Sequence, residues 1–181
     1  MTEQVPPQQK AVIVVDMQRD NVGGFCRAIV PNIKLLLEKA REKEMSVVFA
    51  CDSRYPEDFI FTRGGHPVRT VRGTDGVKVI EDLEPRPDEI IVEKRMLSAF
   101  FGTDLDFTLR QRGIKTLIVT GVATWACVLK TVFDAVELGY EVMVPADCCA
   151  SLTPEQHEYG VKVMEQLRIV KPSVAEVIET L

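Results

Sequence analysis

No apolar run in this 181-residue sequence approaches the roughly 20 residues that a membrane span needs. Its opening segment, MTEQVPPQQK, is polar and lacks the apolar stretch of a signal peptide. A soluble, cytoplasmic protein is therefore expected, with no membrane partner. Charge of one sign is not concentrated anywhere: 22 Lys and Arg stand against 27 Asp and Glu, a net charge of -5. That balance argues against nucleic acid or an anionic membrane as the main partner. A small neutral or anionic ligand stays open, because a local cationic pocket does not require a basic protein. The five cysteines, Cys26, Cys51, Cys127, Cys148 and Cys149, form no C-x-x-C pair and no Cys/His cluster of zinc spacing. An odd count in a cytosolic chain makes a disulfide framework unexpected, and each cysteine reads first as a small buried hydrophobe. There is no internal repeat and no low-complexity linker.

What is present is one good-sized core. With 46% hydrophobic residues, the chain is long enough to fold as a single domain over 1–181 and too short for two. AVIVV (11–15), SVVFA (46–50) and TLIVTGV (116–122) are nearly continuous apolar runs of β-branched character, with EIIVE (89–93) and YEVMV (140–144) as shorter ones. Runs apolar on both faces indicate a parallel sheet covered on both sides. Between them lie helical patterns: Ile33, Leu36, Leu37 and Ala40 after Pro31; Leu105 and Leu109 ending at Gly113; Val128, Val132 and Ala135 ending at Gly139; and Tyr159, Val163 and Met164 after Thr153-Pro154. The alternation predicts a three-layer α/β/α, Rossmann-like domain on a parallel sheet of five or six strands. The segment 52–86 fits neither period, and a loop of that length commonly wraps a site.

Ligands of such sheets bind beyond the carboxyl ends of the strands. Asp16 closes the first apolar run, Cys51-Asp52 the second, Glu93-Lys94 the third, and a glycine turn after the fourth leads to Cys127. A solitary charge at the end of an apolar run is costly unless paired, so Asp16 and Lys94 are expected to pair. They read either as a structural ion pair or as part of a site. A lysine spans only about one strand spacing of roughly 4.8 Å. Contact is therefore easiest between neighbouring strands, and the order 3-2-1-4-5 would demand reach from the loop. Capping logic makes Thr124 an N-cap, with Trp125, Ala126 and Cys127 as the first helical residues. There the helix dipole and a nearby Lys94 would favour the Cys127 thiolate, and the free N–H groups of the turn would make an oxyanion hole. Asp16 could then take the thiol proton and return it to a leaving amine.

The segments VVDMQ, KRMLSAFFGTDLDFTLRQRGI and TGVATWACV resemble, in this order and at these strand ends, the isochorismatase-like cysteine hydrolases, a family that includes nicotinamidases, N-carbamoylsarcosine amidases and ureidoacrylate hydrolases. The resemblance covers about residues 11–151. It implies an Asp16, Lys94, Cys127 triad in which the thiol attacks an amide or ureide carbonyl, ammonia or an amine leaves, and water cleaves the thioester. It also implies a cis peptide at Val122-Ala123, turning the Ala123 N–H toward the same carbonyl oxygen as that of Cys127. Homo-oligomers, dimers or tetramers, are common in such families. Some family isochorismatases act on a vinyl ether without the cysteine, so retention of Cys127 favours the amidase branch.

The departures are equally informative. Family nicotinamidases hold a metal through Asp-x-His and a second His before G-T-x-G; here the corresponding positions read Asp52-Ser53-Arg54 and Arg69. No catalytic metal and no cofactor are therefore expected. Arg is the preferred fork for a carboxylate, so Arg54 or Arg69 is a candidate for binding a carbamoyl- or ureido-acid substrate, the other reading being two solvated loop arginines. Trp125 stands where the family usually has Asp or Asn and is a candidate pocket wall or oligomer contact; Phe25, Phe100 and Phe101 are weaker wall candidates. His66 reads as a turn residue, His157 as a surface residue, and Cys148-Cys149 as structural. Nicotinamidase activity, a non-enzymatic ligand-binding domain and a thiol redox sensor are the alternatives.

Overall fold

The computed structural model describes residues 5–171 and 173–181. Its seven described strands are β1 (Lys10–Val15), β2 (Ser46–Asp52), β3 (Ile90–Lys94), β4 (Thr116–Val122), β5 (Glu141–Pro145), β6 (Cys149–Ala150) and β7 (Val170–Lys171). Six lie in the order β3-β2-β1-β4-β5-β7, and β6 pairs with the end of β4. Every strand pairing is parallel. The parallel sheet flanked by helices is the one expected, with six strands on its main path and one beside it, and the elements added to the five apolar runs are β6 and β7. At two residues each, these are too short to leave any periodicity in the sequence.

Helices α1 (Val30–Glu42), α3 (Leu105–Gln111), α4 (Leu129–Glu137), α5 (Pro154–Glu165) and α6 (Val174–Ile178), with the one-turn α2 (Phe59–Thr62), complete the described elements, apart from short 3-10 turns and one π turn. Successive strand side chains point to opposite faces, so β1 supplies both halves of the core. Val12 and Val14 join Ile33, Leu36 and Leu37 of α1 and Val174 and Val177 of α6. Ala11, Ile13 and Val15 join Leu105 and Leu109 of α3, Val132 and Ala135 of α4, and Met164 of α5. Each of these large aliphatic side chains contributes about 1.5–3 kcal/mol when fully buried.

Helix ends follow the sequence cues. Pro154 opens α5 behind Thr153, whose hydroxyl accepts from the Gln156 N–H at 3.3 Å, and Gly113 and Gly139 take the left-handed backbone expected after α3 and α4. At the close of β4, Gly121 has φ +110°, and a side chain there would fall on the Val15 carbonyl of the neighbouring strand. That close approach locks β4 against β1 where both chains leave the sheet.

Candidate active site

Four strand ends meet at the carboxyl edge of the sheet. Asp16 follows β1 with a left-handed φ of 52°, a conformation that Asp tolerates better than most residues. Asp52 ends β2, and Lys94 ends β3 opposite it in register. The Lys94 ammonium, wholly buried, donates to Asp16 Oδ2 at 2.8 Å, to Asp52 Oδ1 at 2.7 Å and to the Met96 carbonyl at 3.2 Å. The expected pair therefore exists, but across β2, in the order for which contact was expected only from the loop. Lys94 is itself the last residue of β3. Two spacings, roughly 10 Å, are bridged by side chains from both ends, the Lys94 ammonium reaching Asp52 at the end of β2 and Asp16 after β1 together.

Asp52 and Gln18 went unnoticed in the sequence as parts of this cluster. The Asp52 N–H donates to Asp16 Oδ1 at 3.0 Å and to Gln18 Oε1 at 2.8 Å. Gln18 returns its amide to the Asp52 carbonyl at 2.8 Å and to the Val77 carbonyl at 2.7 Å. Both oxygens of Asp16 are thereby held. Gln18 was within reach of sequence reasoning, as the last letter of VVDMQ; Asp52 read as the end of the second apolar run and as the first position of the altered Asp-x-His pair, without a partner.

Cys127 lies beyond β4, buried on the same cavity wall as Asp16 and near enough that each shifts the titration of the other. The Val122-Ala123 peptide is cis. The turn that follows differs from the expected helix start. Thr124–Val128 form a π turn, in which Val128 N–H donates to the Ala123 carbonyl and Leu129 N–H to the Thr124 carbonyl. Thr124 is not an N-cap: its hydroxyl pairs instead with His157 Nδ1 of α5 at 2.9 Å. Single π turns recur at functional sites because they break the regular ladder. Among the described residues, the Ala123 and Trp125 N–H groups have no backbone acceptor. His157 is half-buried rather than a surface residue, and burial holds its imidazole below the ordinary range, with Glu158 opposing.

Protonation follows from these contacts. Burial, and then the Asp52 charge, push Asp16 up to about 6, against the pull of Lys94. Burial alone would lower Lys94, but the charges of Asp16, Cys127 and Asp52 outweigh it and hold the ammonium above the ordinary lysine range. The Cys127 thiol is raised by burial and by the Asp16 charge, and Lys94 offsets only part of this. The expectation of a favoured thiolate is therefore corrected: the resting sulfur keeps its proton, with a carboxylate of much lower pKa beside it.

The cluster opens into a cavity of about 730 Å³. Arg54, Arg69, Trp125 and His66 all line it. Arg54 is 3% exposed, so it is not a solvated loop residue, whereas Arg69 is exposed at the wall. Phe25 is 61% exposed and stands outside the wall, which its neighbour Cys26 joins; the wall role expected of Phe25 is not met. Phe100 stacks on Tyr140, and Phe101 borders a separate recess. Cys148 and Cys149 are buried. Whether a metal fits at the Asp52 position can be judged from its donors. Asp52 Oδ1 already accepts from both Lys94 and the Arg54 guanidinium, the latter at 2.8 Å. A dication there would face two cations at contact, so these residues do not fit one.

Comparison with known proteins places the chain in a family. The isochorismatase domain family matches residues 10–180. A protein of Arabidopsis thaliana named "Probable inactive nicotinamidase" is 32% identical, covering 94% of this chain and 95% of its own length. The ureidoacrylate amidohydrolase RutB of Agrobacterium fabrum is 30% identical over 82% of this chain and 79% of its own. Among solved structures, an isochorismatase-like hydrolase from Alkaliphilus metalliredigens superposes with a TM-score of 0.89 at 34% identity, covering 94% of this chain and 98% of that one. N-carbamoylsarcosine amidase from Thermoplasma acidophilum superposes with a TM-score of 0.77 at 30% identity, covering 87% and 93%.

Proposed function

Since the chain belongs to the isochorismatase family, we propose that it is a metal-independent cysteine amidohydrolase that cleaves the C–N bond of an amide or ureide through a thioester, with N-carbamoyl and ureido acids ahead of nicotinamide as substrates. The observation that carries this reading is a buried thiol on one cavity wall with a buried carboxylate, itself held by a buried ammonium. A thiol so placed becomes nucleophilic only as it gives up its proton, and Asp16 is the base within reach. Cys127 Sγ bonds to the substrate carbonyl carbon while its proton passes to Asp16. The negative charge that develops on the carbonyl oxygen is met by the Ala123 and Cys127 N–H groups. The C–N bond then breaks, and the nitrogen takes the proton from Asp16 and leaves as ammonia. Water adds to the acyl carbon, again giving a proton to Asp16. Collapse expels the sulfur, which recovers that proton, and releases the acid; from a ureide the product is a carbamic acid, which loses CO₂. Lys94 remains an ammonium throughout and holds Asp16 in place.

Relatives named ureidoacrylate amidohydrolase and N-carbamoylsarcosine amidase support the reaction class. The relative named as inactive favours a second reading, a ligand-binding domain without turnover. The deciding experiment mixes enzyme with a panel of amides and ureides and follows ammonia and intact mass. Ammonia release with an acyl adduct on Cys127, both absent in a folded Cys127→Ala variant, is expected. Binding without ammonia release from any substrate would support the second reading and overturn the first.

A further inference from the structure

Arg54 is buried, yet only half of its guanidinium is accounted for. Its Nη2 donates to Asp52 Oδ1, while Nη1 is buried without a hydrogen-bond partner among the described residues. The side chain lines the cavity. Its backbone is pinned, donating to the Thr70 carbonyl at 3.0 Å and accepting from the Arg72 N–H at 2.8 Å. A buried charged donor left unpaired costs more than its hydrogen bond would yield, so such a group signals an acceptor that comes from outside. The surrounding charge has the matching sign. In a protein of net charge -5, the cavity wall carries Arg54, Arg63, Arg69 and Lys130 against Asp16 and Asp52, and both of those carboxylates already hold Lys94. Beyond this polar end the wall is apolar, built from Phe59, Ile60, Met96, Trp125, Leu129 and Phe133 among others.

Building on the amidohydrolase reading, we infer that Arg54 Nη1 anchors the carboxylate of the substrate, and that the preferred substrates are N-carbamoyl acids bearing a bulky apolar side chain. Arg54 and Lys94 donate to the same oxygen of Asp52, so the anchor lies beside the reacting groups. The carboxylate and the scissile carbonyl are then separated by only a few bonds, as in an N-carbamoyl α- or β-amino acid. A cavity of about 730 Å³ leaves room for a side chain well beyond that of glycine, and burial on the aromatic wall rewards it. Because the guanidinium is already desolvated and fixed, little further ordering is lost when the carboxylate arrives.

The test compares N-carbamoyl-leucine, its neutral methyl ester and N-carbamoylglycine as substrates of the full chain. The acid is expected to exceed the ester in kcat/KM by about 10- to 100-fold, the value of one charge-assisted hydrogen bond, and to exceed the glycine derivative as well. In Arg54→Gln the acid-to-ester ratio should fall toward one whatever the absolute rates, with Arg54→Lys between. Equal turnover of acid and ester by the unaltered enzyme, or an unchanged ratio in Arg54→Gln, would overturn the anchor and leave the amidohydrolase reading intact. Calorimetric titration of N-carbamoyl-leucine and its ester into Cys127→Ala separates binding from chemistry and decides the matter even if the Arg54 variants do not fold. Acid-selective binding there, with no turnover by the unaltered enzyme, would sustain the anchor and overturn the amidohydrolase reading. Failure of the acid to bind in preference to the ester would overturn the anchor.

Discussion

Replacing Lys94 by Met keeps the buried stem and removes the ammonium, leaving Asp16 and Asp52 facing each other with only Arg54 as a cation. Lys94 makes two charged hydrogen bonds, at 2.8 and 2.7 Å, each worth about 1.5–3 kcal/mol. Breaking a buried ion pair from one side costs about 3–5 kcal/mol, because a charge is left uncompensated. At about 2–4 °C per kcal/mol for a domain of this size, the melting temperature should fall by about 6–20 °C. The defect carries a pH signature. Asp16 already titrates above the ordinary Asp value of about 3.9 of the unfolded chain, and loss of the ammonium that pulls it down raises it further. The folded state then binds more protons, so stability is greatest below pH 4 and is lost as pH rises through the elevated folded value of Asp16. Urea unfolding followed by circular dichroism at pH 5 and pH 8 should therefore show the larger deficit, relative to the unaltered protein, at pH 8. A deficit below about 1 kcal/mol at pH 8, or one that is larger at pH 5, would refute the account of Lys94 as the counterion of two buried carboxylates.

Two further outcomes follow from the same geometry. If Asp16 must be ionised to accept the thiol proton, kcat/KM should fall on the acid side of about pH 6, where burial and the Asp52 charge have set its titration. Asp52→Asn removes one of those raising influences and should move the acid limb of a pH–rate profile downward; an unmoved or upward-moving limb would mean that another group sets it. Gly160→Ala would put a Cβ 2.8 Å from the Trp125 N and 2.9 Å from the Thr124 carbonyl carbon. Backbone on both sides cannot yield, so α5 must lift from the π turn, at about 1–3 kcal/mol in thermal unfolding and with a slower Cys127. Wild-type stability together with wild-type turnover would show that the contact of α5 with the nucleophile turn is dispensable.

The parts of the fold that could be read in the sequence are those whose burial leaves a local mark. AVIVV, SVVFA and TLIVTGV are sealed on both faces as β1, β2 and β4, and continuous burial is written as a continuous apolar run. β3 is half-exposed, with Ile91 open to solvent, and its run is correspondingly short. Asp16 and Lys94 were visible because each interrupts such a run with a charge. Asp52 does the same, but it borders the irregular segment 52–86, where charges are ordinarily solvated. What the sequence conceals depends on partners distant along the chain. Thr124 caps nothing because His157, 33 positions away, accepts or donates at its hydroxyl. The thiol is protonated because burial and two carboxylates from other strands outweigh the turn and the lysine, which local sequence alone brings to mind.

The four buried charges also divide the work between two chemically identical carboxylates. Asp52 Oδ1 accepts from both Lys94 and Arg54, so two cationic donors already share that oxygen. Asp16 has one oxygen on Lys94 and the other on the Asp52 N–H, a weaker set of donors, and the Cys127 thiol as its remaining neighbour. Burial, and then the Asp52 charge, draw its titration upward toward neutrality, where the proposed base would work best, while its orientation is fixed before any substrate arrives. Asp52 in this arrangement positions Lys94 and raises its partner without touching the reacting atoms. It also links the Arg54 guanidinium to the same cluster, so that a carboxylate bound at Nη1 would shift the balance of charge around Asp52 and, through it, around the base.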